Sequence, residues 1–132
     1  MKYLLDANFC IEILRGKSEL SKIRLQSVPS SELVMCAVVE AELLLGVALS
    51  QNPFQARAKL LPFWQLTTLA FDRNCAQHYA EIRADLQQRG ALIGPNDLMI
   101  AAIACANNLI LVTHNTSEFS RVLGLQIEDW QI

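Results

Sequence analysis

Ten residues, Asp97-Leu-Met-Ile-Ala-Ala-Ile-Ala-Cys-Ala106, constrain the fold more than any other part of the chain. After the one charge at its start the stretch is apolar on every side, so as a helix it has no face to offer solvent and must lie inside the fold. Asn107-Asn108 ends it, and Leu109–Thr113 follows as a continuous apolar run, the pattern of a strand in a parallel sheet covered on both faces. The rest of the chain alternates in the same way. Tyr3-Leu4-Leu5 stops at Asp6, with Asn8 as the candidate N-cap of a helical pattern through Phe9, Ile11, Ile13 and Leu14 to Gly16. Leu20–Val28 is a second amphipathic stretch closed by Pro29, Leu33–Cys36 a second short strand, and Val38–Leu49 helical. Asn52-Pro53 opens a helix through Leu61, and Leu66–Leu69 reads as a third strand. Asp72 caps a long helix ending at Arg89-Gly90, with an apolar stripe of Ala76, Tyr79, Ala80, Ile82 and Leu86. Gly94-Pro95-Asn96 is a turn, and Leu125–Ile127 a last edge strand. This alternation predicts an α/β fold with a central parallel sheet of four to five short strands flanked by helices.

With 132 residues, the chain fits one domain spanning residues 1–132. Eleven Lys and Arg stand against 13 Asp and Glu, a net charge of −2, so a nucleic-acid partner would have to be held by local basic patches. The composition is 52% hydrophobic, yet no apolar run approaches the roughly 20 residues that span a bilayer, which excludes a membrane protein. Asp6 and Glu12 interrupt what would be the apolar region of a signal peptide, so the chain reads as cytoplasmic. Cys10, Cys36, Cys75 and Cys105 form no Cys-x-x-Cys, and His78 and His114 match no ligand spacing, so the thiols read as reduced and buried rather than as zinc ligands.

In an open parallel sheet the functional crevice lies beyond the carboxyl ends of the strands. The polar residues falling there are mostly acidic. Asp6 follows the first strand, Asp97 starts the buried helix, Asn115 and Glu118 follow the strand ending at Thr113, and Glu42 sits early in its helix among Ala41, Leu43, Leu44 and Leu45. A carboxylate in such company is costly unless it faces a cation, a partner or solvent. Two carboxylates 4 Å apart repel by roughly 4 kcal/mol at an effective dielectric of 20, so a cluster implies protonation or a bound cation. Oxygen donors without histidine or cysteine point to Mg²⁺ or Mn²⁺. Taken alone, each residue also has an ordinary explanation: Asp97 as a helix-start acid, Asp6 as a turn residue, Glu42 as solvent-facing in the way expected of Glu40, Glu118 as a first-turn acid. The case rests on four positions arriving in order on the right elements.

That order carries a resemblance. Leu-Leu-Asp6-Ala-Asn8, Glu42-Leu-Leu-Leu-Gly46, Ile-Gly-Pro-Asn-Asp97-Leu-Met-Ile-Ala-Ala and Leu-Val-Thr113-His-Asn115-Thr-Ser-Glu118-Phe119 together resemble the PIN-domain family, above all its VapC toxin branch. Ser120-Arg121-Val-Leu-Gly124-Leu125 and Glu128-Asp129-Trp130 extend the likeness over nearly the whole chain. The resemblance implies a Mg²⁺- or Mn²⁺-dependent endoribonuclease, the toxin half of a bacterial toxin–antitoxin pair, with Asp6, Glu42 and Asp97 as its acidic triad. The expected chemistry places the cation between Asp6 and Asp97, helped by Glu42, with a water attacking an RNA phosphate in line. Asn8, Thr113, Asn115 and Glu118 are the supporting positions. Asn115 departs from the pattern, because many PIN domains carry a fourth aspartate there; Glu118 supplies the missing carboxylate, or the amide serves as a neutral group. Ala7 and Val39 depart too, at positions where similar proteins often carry threonine.

RNA contacts would fall to Arg15, Lys17, Lys22 and Arg24, close together in sequence, and to Arg83, Arg89 and Arg121, although such charges are usually only a solvated face. The resemblance implies transfer RNA as substrate, the anticodon loop of the initiator transfer RNA in particular. The apolar character of Leu43–Leu49 and Leu60–Trp64 reads either as ordinary core or as a surface for a partner, which the resemblance implies is a VapB-type antitoxin or a second copy of the chain. Two other readings stay open. A receiver-like signalling domain needs an acidic pair after its first strand and a late lysine, whereas Asp6 is single and no lysine follows residue 59. A PIN-like module that binds RNA or protein without cleaving is kept open by Asn115.

Overall fold

Five short strands, β1 (Tyr3–Leu5), β2 (Leu33–Cys36), β3 (Thr67–Leu69), β4 (Ile110–Val112) and β5 (Gln126–Glu128), make one sheet in the order β3-β2-β1-β4-β5 in the computed structural model, which describes residues 1–132. Every pairing is parallel, and Tyr3 of the central strand lies opposite Leu33 on one side and Ile110 on the other. The chain steps outward from β1 to β2 and β3, then returns to the far side of β1 for β4 and β5. The strand order therefore reverses between β1 and β4, and the crevice beyond their carboxyl ends is where such sheets place ligands.

Eight helices connect and cover the strands: α1 (Ala7–Arg15), α2 (Glu19–Ser27), α3 (Ala37–Ala48), α4 (Pro53–Lys59), α5 (Leu61–Trp64), α6 (Arg73–Gln88), α7 (Pro95–Ala106) and α8 (Thr116–Phe119). The all-apolar helix α7 is the innermost: Leu98, Ile100, Ala101, Ala102, Ile103 and Ala104 are buried, packed between the sheet and α6. Leu4, Leu5, Val34, Met35, Leu111 and Val112 fill the strands' share of the same core, as fully covered parallel strands require. Trp130, beyond the last strand, is buried edge-on against Tyr3 and Phe9, with ring centroids 5.1 and 5.4 Å away. No helix is long and apolar enough to cross a membrane.

Several boundaries differ from the sequence reading. Asp6, not Asn8, caps α1: its backbone is extended and its Oδ1 accepts from the Ala7 N–H at 2.8 Å. Pro95 and Asn96 belong to α7 rather than to a turn, because Gly94 caps the helix and Pro95 takes the first position, where its missing N–H costs nothing. Asp97 thus lies in the first turn instead of starting the helix. The stripe of α6 runs through Cys75, Tyr79, Ile82 and Leu86, whereas Ala76 and Ala80 are exposed. The last strand is shifted one residue, to Gln126–Glu128. Cys10, Cys36 and Cys75 are buried thiols, while Cys105 is only half-buried.

Candidate functional site

Asp6 occupies the first position after β1 and is buried. Its backbone N–H donates to the Val112 carbonyl at 3.0 Å, continuing the β1–β4 ladder by one rung, so the side chain emerges at the point where the strand order reverses. Thr113, the first residue after β4, donates from Oγ1 to Asp6 Oδ2 at 2.8 Å. The same hydroxyl oxygen accepts from the Asn115 N–H at 3.0 Å, and Asn115 Nδ2 donates to Glu118 at 3.3 Å. A chain of hydrogen bonds thus links Asp6 through Thr113 and Asn115 to α8.

Glu42 and Asp97 complete the acidic face. In α3, Val39, Leu43 and Val47 take the buried stripe, leaving Glu42 half-buried beside them with Oε1 enclosed and without a hydrogen-bond partner. Glu40, expected to face solvent, lies at the surface and accepts a hydrogen bond there from Thr68 of β3. Asp97 is aimed into the crevice by the first turn of α7 and lies within hydrogen-bonding reach of Glu118. Burial and the charge of Asp6 push Glu42 up from its ordinary value; burial raises Asp6, against the lowering effect of its bonds from Thr113 and Ala7. Asp97 is pushed up to about 7, first by burial and then by Asp6, Glu118 and Glu42. Burial also raises the Cys36 thiol to about 11, with Asp6 and Glu42 adding to it.

Four carboxyl groups from four places in the sequence therefore feel one another. A hard divalent cation fits this set in its chemistry: the donors are all oxygen, their repulsion is uncompensated, and Glu42 Oε1 lacks any partner. The set is complete in kind rather than in arrangement, since no three His, Cys, Asp or Glu side chains stand in ligating positions.

A groove of ≈ 370 Å³ runs along α1 beside this face, with Asn8, Arg15, His114, Asn115 and Gln131 among its lining. His114 Nδ1 hydrogen-bonds Asp129 Oδ2 at 2.8 Å, a pairing that sequence spacing gives no means of finding. A larger concavity of ≈ 470 Å³ lies between α6, α7 and the start of β5, among His78, Cys105 and Gln126, and contains none of the clustered carboxylates.

The candidate cations divide into two groups. Arg15 and Lys17 are exposed at and beyond the end of α1, with no carboxylate partner. The others are engaged within the chain. Lys22 pairs with Glu19 at 3.7 Å, and Arg24 with Glu128 at 2.9 Å while lying over the Trp130 ring. Arg83 donates to the Tyr79 hydroxyl at 2.7 Å. Arg89 pairs with Asp85 at 2.6 Å and donates to the Arg121 carbonyl at 2.7 Å, and Arg121 donates to the Leu92 carbonyl at 3.1 Å.

A parallel sheet with acidic side chains gathered at its switch point defines a recognisable class, and the family model described as "PIN domain" matches residues 3–125. The chain is 36% identical to Ribonuclease VapC2 of Rickettsia felis over 132 residues and 37% identical to the tRNA(fMet)-specific endonuclease VapC of Shigella flexneri over 131, in each case covering 98% of both chains. Among solved structures, DNA-bound VapBC from Salmonella typhimurium superposes with a TM-score of 0.92 at 34% identity, covering 98% of each chain. VapBC-1 from nontypeable Haemophilus influenzae gives a TM-score of 0.90 at 35% identity over the full length of both chains. The chain belongs to the PIN-domain family and, within it, to the VapC branch.

Proposed function

We propose that this protein is the toxin of a VapBC-type toxin–antitoxin pair, a Mg²⁺- or Mn²⁺-dependent endoribonuclease that hydrolyses transfer RNA in the cytoplasm. The observation that carries the reading is the convergence of Asp6, Glu42, Asp97 and Glu118, where burial, and then the neighbouring carboxylates, raise Asp97 to about 7 and Glu42 Oε1 is enclosed and unpartnered. Asp6, Asp97 and Glu42 would hold the cation, with Glu118 and Asn115 beside them. Such a cation, when bound, stabilises charge on a phosphodiester and acidifies water.

The chain's own residues do the rest. Thr113 fixes Asp6 in one orientation, and the Thr113–Asn115–Glu118 bonds fix the loop after β4 against α8. Arg15 and Lys17, unpaired on the α1 side, supply the local positive charge that a chain of net −2 needs to hold RNA. The relatives' name, tRNA(fMet)-specific endonuclease, supports initiator transfer RNA as the first substrate to try. Leu45 of α3, Leu49 just beyond it, Phe54 of α4 and Leu61 of α5 stay exposed, and this exposed apolar surface supports a protein partner, an antitoxin or a second copy.

The test is cleavage of purified total transfer RNA with Mg²⁺, Mn²⁺ or EDTA, with Asp97→Asn protein alongside. Discrete fragments that require the metal and vanish in the variant are expected. Full RNA binding with no fragments under either metal would favour a non-cleaving binding module.

A further inference from the structure

We propose that His114, clamped by Asp129, is a substrate-binding residue whose Nε2 accepts a hydrogen bond from a ribose hydroxyl of a nucleotide flanking the scissile phosphate, with Asp129 as its positioning residue. The proposal rests on the nuclease reading for its substrate and adds a residue to it. His114 stands between two residues wired to the acidic face, since Thr113 bonds Asp6 and Asn115 bonds Glu118. Its ring lines the groove along α1 together with Asn115, the residue that bonds Glu118.

The ring is exposed but not free. Its side chain is 57% exposed, while that of Asp129 is only 8% exposed. Asp129 Oδ1 accepts from the Gln131 N–H at 2.9 Å and Oδ2 faces His114 Nδ1 at 2.8 Å. A carboxylate held by backbone and largely removed from water favours the tautomer with its proton on Nδ1, which leaves Nε2 for an outside partner. Burying a carboxylate to orient a surface imidazole adds nothing to the core; it makes sense as preorganisation of a contact.

The groove says what that contact is. Arg15 is its one cation, a partner for phosphate, and the Nε2 acceptor of His114 suits the ribose hydroxyl that RNA carries beside it.

The probe is an initiator transfer RNA transcript, fluorescently labelled, with Kd read by anisotropy in EDTA and cleavage read separately in Mg²⁺ or Mn²⁺. His114→Ala is expected to raise both Kd and KM about tenfold, equivalent to losing roughly 1.4 kcal/mol of contact, with kcat within about twofold. His114→Gln, which keeps a polar atom in reach, should recover most of the loss, and Asp129→Asn should raise KM less than His114→Ala does. Equal binding by wild type and His114→Ala would overturn the proposal and leave the nuclease reading standing. Weaker binding by His114→Ala with no cleavage by wild type would overturn the nuclease reading and, with it, the place of the contact beside a scissile phosphate. Absence of RNA binding by the wild-type protein would overturn both.

Discussion

Thr113 Oγ1 donates to Asp6 Oδ2 at 2.8 Å, across the boundary where the sheet's strand order reverses. Asp6 is buried, its other oxygen is taken by the Ala7 N–H, and burial alone pushes its carboxyl up. The threonine hydroxyl therefore offsets part of the rise that burial causes. Thr113→Val keeps the shape and removes the donor. It should cost about 1–3 kcal/mol of stability in urea denaturation and lower RNA cleavage, whereas Thr113→Ser should retain most of both. A Thr113→Val protein as active as wild type would remove the hydroxyl from the account of the site.

The raised carboxyls fix the sign of a pH dependence. Asp97 stands at about 7 in the fold against an ordinary 3.8, so its contribution to stability is fully present below the lower value and is lost as pH rises through the upper one. Asp6 and Glu42, also raised, push the same way. Thermal melting in EDTA should give a lower Tm at pH 8 than at pH 5, and Asp97→Asn should flatten that difference. Added Mn²⁺ should recover Tm at pH 8 in the wild type more than in Asp97→Asn. An unmodified protein whose Tm in EDTA rises from pH 5 to pH 8 would contradict the electrostatics of the crevice.

The strands and the buried helix were legible because their patterns are local: Leu109–Thr113 and Leu98–Ala106 are apolar on every side, and such runs belong to the covered parts of a fold. Asp6, Glu42, Asp97 and Glu118 were legible as carboxylates following strands or opening helices. Their gathering in one crevice was legible only through the general rule for parallel sheets and the family resemblance, since the approach itself depends on which strands are neighbours. The caps were misread where two candidates compete within three residues, as at Asp6 and Asn8, because either side chain can start a helix and the sheet decides which is held in extended backbone. Long-range polar pairs such as His114–Asp129 and Glu40–Thr68 leave no periodic trace at all. The arginines show the same limit: Arg89 and Arg121 look alike in sequence to Arg15, yet they tie α6 to the segments around Leu92 and Arg121.

Glu42 gives a prediction of opposite sign for fold and function. Its Oε1 is enclosed without a partner, and it faces the charge of Asp6. Glu42→Gln removes one member of the repelling group and should stabilise the protein without metal by about 0.5–2 kcal/mol while depressing RNA cleavage. Denaturation midpoints and cleavage rates of the same preparation check both halves. A destabilised Glu42→Gln would mean that the ionised carboxylate has a partner within the fold.

The last prediction concerns what keeps the C-terminal segment on the sheet. Trp130 packs edge-on against Tyr3 of the central strand and Phe9 of α1, and its Nε1 donates to Glu128 Oε1 at 3.0 Å. The same oxygen accepts from Arg24 of α2 at 2.9 Å, and Arg24 lies over the indole. Ser21 of α2 donates to the Trp130 carbonyl at 3.3 Å, so one residue joins β1, α1, α2 and the end of β5. Trp130→Ala removes a fully buried ring and should cost about 3–5 kcal/mol, while Arg24→Ala, on the surface of the same cluster, should cost under about 1 kcal/mol. Because Asp129 is the neighbour of Trp130 and holds His114, the tryptophan variant should also weaken RNA binding under conditions where it is still folded, and Arg24→Ala should not. Urea titrations and RNA binding at matched folded fraction separate the two effects. Equal stability losses from the two variants would show that the outer ion pair, rather than the buried ring, secures the segment.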